Sequence, residues 1–234
     1  MLIVLPPSES KSNRRRGRPA YPSTWSFPEL AGTRERVAAQ LTRASAMPTA
    51  TTVLGVSPGL ADEVARNLLL DSAPATPAAD VYTGVLYDAL DLASMEASAR
   101  RRAHQWVVIV SALHGAVRLR DRITAYRLSM DVNLPGLGPV AAAWRPVLDE
   151  VLAPAAGRMG RLFATGGETA CALLTHLGVH GIRLLEEVEP GVPLGLTQGA
   201  IELPVMTKAG AFGDGGTILR GLDRLRAIAR ESAT

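Results

Sequence analysis

The run Trp106-Val107-Val108-Ile109-Val110-Ser111 constrains this chain more than any other segment. It is continuous in apolar, mostly β-branched residues and bounded by polar ones, the pattern of a strand buried on both faces. A second short buried strand is read at Leu2 to Leu5, an apolar run too short and without the preceding basic residues of a signal peptide. Arg161 to Thr165, Ile182 to Val188 and Val205 to Thr207 read as further strands. Helical spacing separates them. A helix is expected from a Thr33 cap to about Ser45, another from a Ser57 cap with Pro58 in its first turn to Leu70, and others over Val85 to Leu92 and Glu96 to His104. Pro139 to Leu152 carries Trp144, Thr169 to Leu177 ends at Gly178, and Thr217 caps a terminal helix to about Arg230. The fold class expected is α/β, a mixed sheet with flanking helices.

Length permits one large domain or two small ones, since 234 residues with 47% apolar content can bury a sizeable core. No stretch of about 18 uncharged apolar residues exists to span a bilayer. The single cysteine, Cys171, excludes an internal disulfide framework and fits a reducing compartment, so the expected location is the cytoplasm. Cys171 itself, within an apolar helical pattern, reads as a buried small hydrophobe.

The net charge of +3 is unevenly placed. Residues 1–157 carry 17 basic and 14 acidic side chains, whereas residues 158–234 carry eight of each. Arginine supplies 23 of the 25 basic residues. The densest cluster is Lys11, Arg14, Arg15, Arg16 and Arg18 in a polar loop that runs to Pro22, and such a cluster can neutralise phosphates. Solvated surface arginine is the plainer reading. Asp62-Glu63 and Glu186-Glu187 have no partner matched by spacing and read as solvated. His104, His114, His176 and His180 read as surface or turn histidines; the i, i+4 pair His176 and His180 is interrupted by Gly178, which argues against a metal clamp. Ser111 and His114, three apart on leaving a strand, make a poor nucleophile and base pair.

Two glycine-rich turns, Thr165-Gly166-Gly167-Glu168-Thr169 and Lys208 to Gly213, each follow a strand and precede a helix. Backbone amides at such a turn attract anions, and Lys208 adds a positive charge. Tight α/β turns without a ligand are the competing reading.

Four ordered motifs carry a family resemblance. Leu5-Pro6-Pro7-Ser8-Glu9-Ser10-Lys11, Val81-Tyr82-Thr83-Gly84-Val85, Val110-Ser111-Ala112-Leu113-His114-Gly115 and Asp121-Arg122-Ile123-Thr124-Ala125-Tyr126-Arg127-Leu128-Ser129-Met130 resemble the peroxide stress protein YaaA family over about residues 1–155. The resemblance implies a protein that limits intracellular iron and damage under hydrogen peroxide and binds DNA through a positively charged cleft with a helix-hairpin-helix element. The implied hairpin is Leu54-Gly55-Val56-Ser57-Pro58-Gly59-Leu60-Ala61, so the expected DNA contacts are Lys11, Arg14, Arg15, Arg16, Arg18, Gly55, Ser57, Gly59 and Arg127. His114 stands where tyrosine is usual in that family, and Leu119 where proline is usual.

Residues of about 158–225 resemble something different. The two glycine turns, Leu177-Gly178-Val179 and Glu187-Val188-Glu189-Pro190-Gly191-Val192-Pro193 look like the nucleotide-binding end of the four-carbon acid sugar kinase family. That resemblance implies ATP with Mg²⁺ at Gly166, Gly167, Glu168, Thr169 and Gly210, with Lys208 and Gly213 flanking. The C-terminal third of the first family and the sugar-binding domain of the second have no counterpart here. Residues 1–157 and 158–234 therefore read as a fusion of two incomplete domains, expected to act as a non-enzymatic DNA-binding protein. The alternatives are an ATP-dependent kinase and an inactive fusion.

Overall fold

A computed structural model describes residues 1–159, 162–165, 174–175, 177–208 and 216–231. The strands are β1 (Leu2–Leu5), β2 (Thr76–Pro77), β3 (Val107–Ser111), β4 (Gly115–Arg118), β5 (Arg122–Ile123), β6 (Asn133–Leu134), β7 (Gly138–Pro139), β8 (Leu162–Thr165), β9 (Val179–Glu189), β10 (Val192–Gly199) and β11 (Pro204–Lys208). The helices are α1 (Ala31–Ser45), α2 (Ala50–Val53), α3 (Ala61–Ala65), α4 (Ala78–Val81), α5 (Val85–Leu90), α6 (Ala97–Trp106), α7 (Val140–Met159) and α8 (Thr217–Glu231). Seven strands form one mixed sheet in the order β4-β3-β1-β8-β11-β10-β9, as the α/β expectation requires.

The chain divides into two compact units. The first comprises Met1–Pro6, Val85–Val108 and Asp149–Thr234. Here β8 lies parallel to β1 on one side, Leu2 opposite Leu162, and parallel to β11 on the other, Val205 opposite Leu162. Every residue of β1 is buried, which is why four apolar residues in a row form it. β10 pairs antiparallel with both β11 and β9. Glu189 accepts a 2.6 Å hydrogen bond from the Thr217 hydroxyl and pairs with Arg220, while Arg224 grips Glu186 at 2.5 and 2.9 Å. These contacts tie α8 to β9, so Glu186 is ion-paired rather than simply solvated, and Arg224 holds its carboxyl below the usual carboxylate range. Glu187 accepts from the Gly191 amide at 2.7 Å.

The second unit comprises Pro7–Gly84 and Ile109–Leu148. Its core gathers Leu30, Val37 and Leu41 with Ile109, Leu113, Leu119, Ile123 and Trp144, all at or below 2% exposure. The Trp144 indole donates to the Ala112 carbonyl at 2.7 Å.

Several local expectations are corrected. α1 begins at Ala31, so Thr33 lies buried in its first turn instead of capping it. The helix expected from Pro58 to Leu70 is a 3-10 turn (Pro58–Leu60), α3 and a second 3-10 turn (Arg66–Leu69), although Ser57 does accept from the Gly59 amide as a cap. α6 runs on through Trp106, so the buried strand starts at Val107. α7 continues to Met159, past the expected end at Leu152. β10 has no counterpart in the sequence reading. The helix expected at Thr169 to Leu177, with Cys171 and His176, falls largely outside the described residues.

Candidate functional site

The four motifs lie far apart in sequence and come together in the second unit. Lys11 forms an antiparallel bridge with Tyr82, flanked by backbone bonds from Ser12 to Val81 and from Thr83 to Ser10. The Ser8 hydroxyl bonds the Thr83 carbonyl. This arrangement turns the Lys11 side chain back on its own segment, where Nζ donates to the Ser8 carbonyl at 2.8 Å. The ammonium sits 4.4 Å from the centroid of the Tyr126 ring and 5.8 Å from that of Tyr82, within cation–π range. Burial pushes the Lys11 amine down to about 8, with Glu9 opposing and Arg127 reinforcing the shift.

Beneath the lysine runs a chain of hydroxyls. Tyr126 Oη is 2.8 Å from Ser111 Oγ and 3.3 Å from Tyr82 Oη, and Ser111 Oγ accepts the backbone N–H of His114 at 3.0 Å. Burial holds the Tyr126 phenol above its ordinary range. Ser111 and His114 therefore meet through a main-chain bond, not through the imidazole. His114 lies in the turn between β3 and β4, as one of the two expectations had it, but it is buried and not on the surface, because both strands are core strands. Its ring meets Trp25 and Tyr126 edge-on at 4.8 and 5.4 Å. Its Nε2 has no hydrogen-bond partner, and burial, aided by Arg34 and Lys11, lowers its pKa to about 3.

Arg127 faces the same region and is neutralised there. It contacts the Glu9 carboxylate at 2.9 Å and that of Glu63 at 3.6 Å. Glu63 is thus partnered, where the sequence left it solvated. Asn67 fixes the Arg127 backbone from both sides, donating to its carbonyl and accepting its N–H, each at 2.9 Å.

The remaining expected DNA contacts are distributed differently. Arg14, Arg15, Arg16 and Arg18 are exposed on the loop that follows Lys11. Gly55 adopts φ +64°, the left-handed region glycine favours, and lets the chain turn between α2 and the Ser57-capped Pro58–Leu60 turn. Lys11 and Arg127 are folded against aromatic and acidic side chains, apart from that exposed loop in character. In the first unit Lys208 ends β11, partly exposed. Gly166, Gly167, Glu168, Thr169, Gly210 and Gly213 lie outside the described residues. Among the described residues no cluster of three or more His, Cys, Asp or Glu could hold a metal ion, and no helix is long and apolar enough to cross a membrane.

Sequence reasoning missed Ser8, Glu9, Tyr82 and Tyr126 as site residues and weighed Ser111 only as a poor catalytic partner of His114. The signal was present, since all five belong to the motifs that carried the resemblance.

An α/β protein that folds four separated motifs around one lysine is the class this geometry defines. A family model described as peroxide stress protein YaaA matches residues 1–164, and the chain belongs to that family. A UPF0246 protein of Streptomyces coelicolor is 51% identical over 159 residues, covering 67% of this chain and 61% of its own length. The chain thus spans about three-fifths of that relative. A C-terminal part resembles D-threonate kinases: that of Cupriavidus necator is 45% identical over 112 residues, 46% of this chain and 26% of the kinase. A crystal structure of a domain of unknown function (DUF1537) from Bordetella bronchiseptica is 38% identical, covering 40% of this chain and 24% of its own, with a TM-score of 0.35.

Proposed function

We propose that the chain is a cytoplasmic DNA-binding protein of the peroxide stress response, gripping the sugar-phosphate backbone through Arg14, Arg15, Arg16 and Arg18. One observation carries the reading: four exposed guanidinium groups share one short loop, and among the described residues none of them is ion-paired. Such cations release counterions from a nucleic acid, a sequence-independent source of affinity. Gly55, Ser57 and Gly59, exposed on the turns that follow α2, offer a second contact to the backbone. Lys11 and Arg127 add little to this surface, because one is tucked onto tyrosine and the other is neutralised by Glu9 and Glu63. The family resemblance extends the reading to limitation of intracellular iron.

The test is a gel-shift salt titration on duplex DNA. Changing the four arginines to alanine flattens the slope of log affinity against log salt by about 3 to 4. An unchanged slope removes the loop from the mechanism.

A second reading rests on the identity with D-threonate kinases: residues 158–234 bind ATP, with Lys208 beside the phosphates. Calorimetry with ATP and Mg²⁺ then shows heat that disappears in Gly166→Asp, and a flat titration of the folded protein sinks it.

A further inference from the structure

We propose that Lys11 is the imine-forming amine of a site for aldehydes. The first observation is one of residue choice. Of 25 basic residues 23 are arginine, and Lys11 is one of the two exceptions, Lys208 being the other. Guanidinium and ammonium serve equally for long-range charge, but only the amine can lose its proton near neutrality and attack carbon. In a chain that otherwise uses arginine, lysine stands where the four motifs converge.

The surroundings fit the chemistry. Nζ is held by backbone carbonyls, that of Ser8 at 2.8 Å and that of Glu9 at 3.5 Å. The neighbouring Glu9 carboxylate is bound by Arg127 at 2.9 Å, which keeps it from locking a proton on the lysine as an ion pair. The Tyr126 ring supports the amine from one side, and the residue as a whole stays partly exposed. The carbonyls and the ring favour the ammonium, but burial outweighs them and shifts the equilibrium toward the amine, giving a neutral fraction at physiological pH above that of a lysine in water.

The reaction balances without any redox partner. The nitrogen lone pair forms a C–N bond to the carbonyl carbon, and the nitrogen proton passes to the oxygen to give a carbinolamine. The nitrogen lone pair then forms the C=N bond as the C–O bond breaks, and the hydroxyl leaves as water with the second nitrogen proton, leaving the imine. Hydrolysis reverses it. The aldehyde has two sources, a free small molecule or a strand of nucleic acid with an opened deoxyribose, and the second rests on the DNA-binding reading above.

The experiment is reductive trapping of the whole chain with glycolaldehyde and cyanoborohydride, which delivers hydride to the imine and fixes it as a secondary amine. Peptide mapping is expected to place the adduct on Lys11, formed at least about tenfold faster at pH 7 than on a free lysine peptide whose amine titrates near 10.4. The Lys11 rate is expected to rise with pH through a midpoint near 8, and Lys11→Arg to abolish the adduct while keeping the charge. Labelling of Lys11 no faster than the peptide, or a midpoint near 10, overturns the proposal, and the wild-type pH profile decides the matter even where Lys11→Arg fails to fold. In a second arm, a duplex with one abasic site is trapped in the same way. Cross-linking to Lys11 that is lost in the four-arginine variant, with glycolaldehyde capture retained, identifies nucleic acid as the carrier. Glycolaldehyde capture alone identifies a free aldehyde, and capture of neither overturns the proposal. The glycolaldehyde arm needs no DNA, so the DNA-binding reading can fail without it.

Discussion

Arg34 and His114 show how single side chains fix the second unit. The Arg34 guanidinium is buried and surrounded by four backbone carbonyls, those of Ser26, Phe27, His114 and Ala116, at 2.8 to 3.0 Å. It also lies over the Trp25 ring, 5.4 Å from the centroid. Loss of that side chain would leave buried acceptors unsatisfied, each a cost of about 1 to 3 kcal/mol. Burial beside this cation keeps His114 neutral. Its folded pKa of about 3 lies below the ordinary value of 6.5, so on acidification the unfolded chain takes up the proton first. Stability is therefore full above about pH 6.5, falls as the pH drops below it, and levels off near 3. Urea denaturation at pH 7 and pH 4.5 checks this: His114→Phe, which keeps the edge-on ring contacts and removes the titration, should lose less stability than wild type by about 2 kcal/mol. An equal loss in both proteins rules out the histidine as the source. The sequence concealed this burial because a lone histidine before a glycine has the look of a turn. Charge patterning likewise grouped Lys11 with the basic loop, and the resemblance placed Arg127 beside it as a DNA contact, since Glu9 and Glu63 meet Arg127 only through the fold.

At the scale of elements, β4 and α7 pack closely at their junction. Gly115 opens β4 with φ +70°, and a Cβ there would come within 2.5 Å of the Trp144 ring, itself anchored by the bond to Ala112. Gly115→Ala is therefore expected to destabilise by about 3 kcal/mol or more, from backbone strain and overpacking together. A thermal melt within a degree or two of wild type would contradict that. Regular patterns made most elements readable: the β-branched run gave β3, and apolar spacing gave α1 and α7. β10 escaped because Pro193, Gly195 and Gly199 break its strand character. Tertiary pairing overrides that local preference. Gly195 is needed where it stands, since a Cβ would fall 2.4 Å from the Arg183 carbonyl of β9. The outer strand β9 was legible, but its exposed Ile182, Leu184 and Leu185 follow from its place at the sheet edge, which no window of sequence specifies.

For the whole molecule, the first unit joins the first strand to the C-terminal segment. β1 has β8 as its parallel neighbour, in register from Leu2–Leu162 to Val4–Ala164, and β8 in turn lies parallel to β11. A fragment of residues 1–157 would leave that side of β1 without a partner and expose Leu2 to Leu5, now at 5% exposure or less. Such a fragment is expected to be aggregation-prone and rapidly digested by protease, whereas the full chain resists. A soluble fragment of native-like protease resistance would show that the pairing is dispensable. The motif residues were legible as a set, while their convergence was not, because it depends on pairings such as Lys11 with Tyr82 that join segments about 70 residues apart.

The edge-on contact of Trp25 with His114, under the Arg34 guanidinium, has an optical consequence. An indole pressed against an imidazole loses excited-state energy to it far more readily once the imidazole is protonated. Because His114 stays neutral down to about pH 3, Trp25 keeps its emission through the neutral range and is expected to dim on acidification toward that value, over the emission of Trp106 and Trp144.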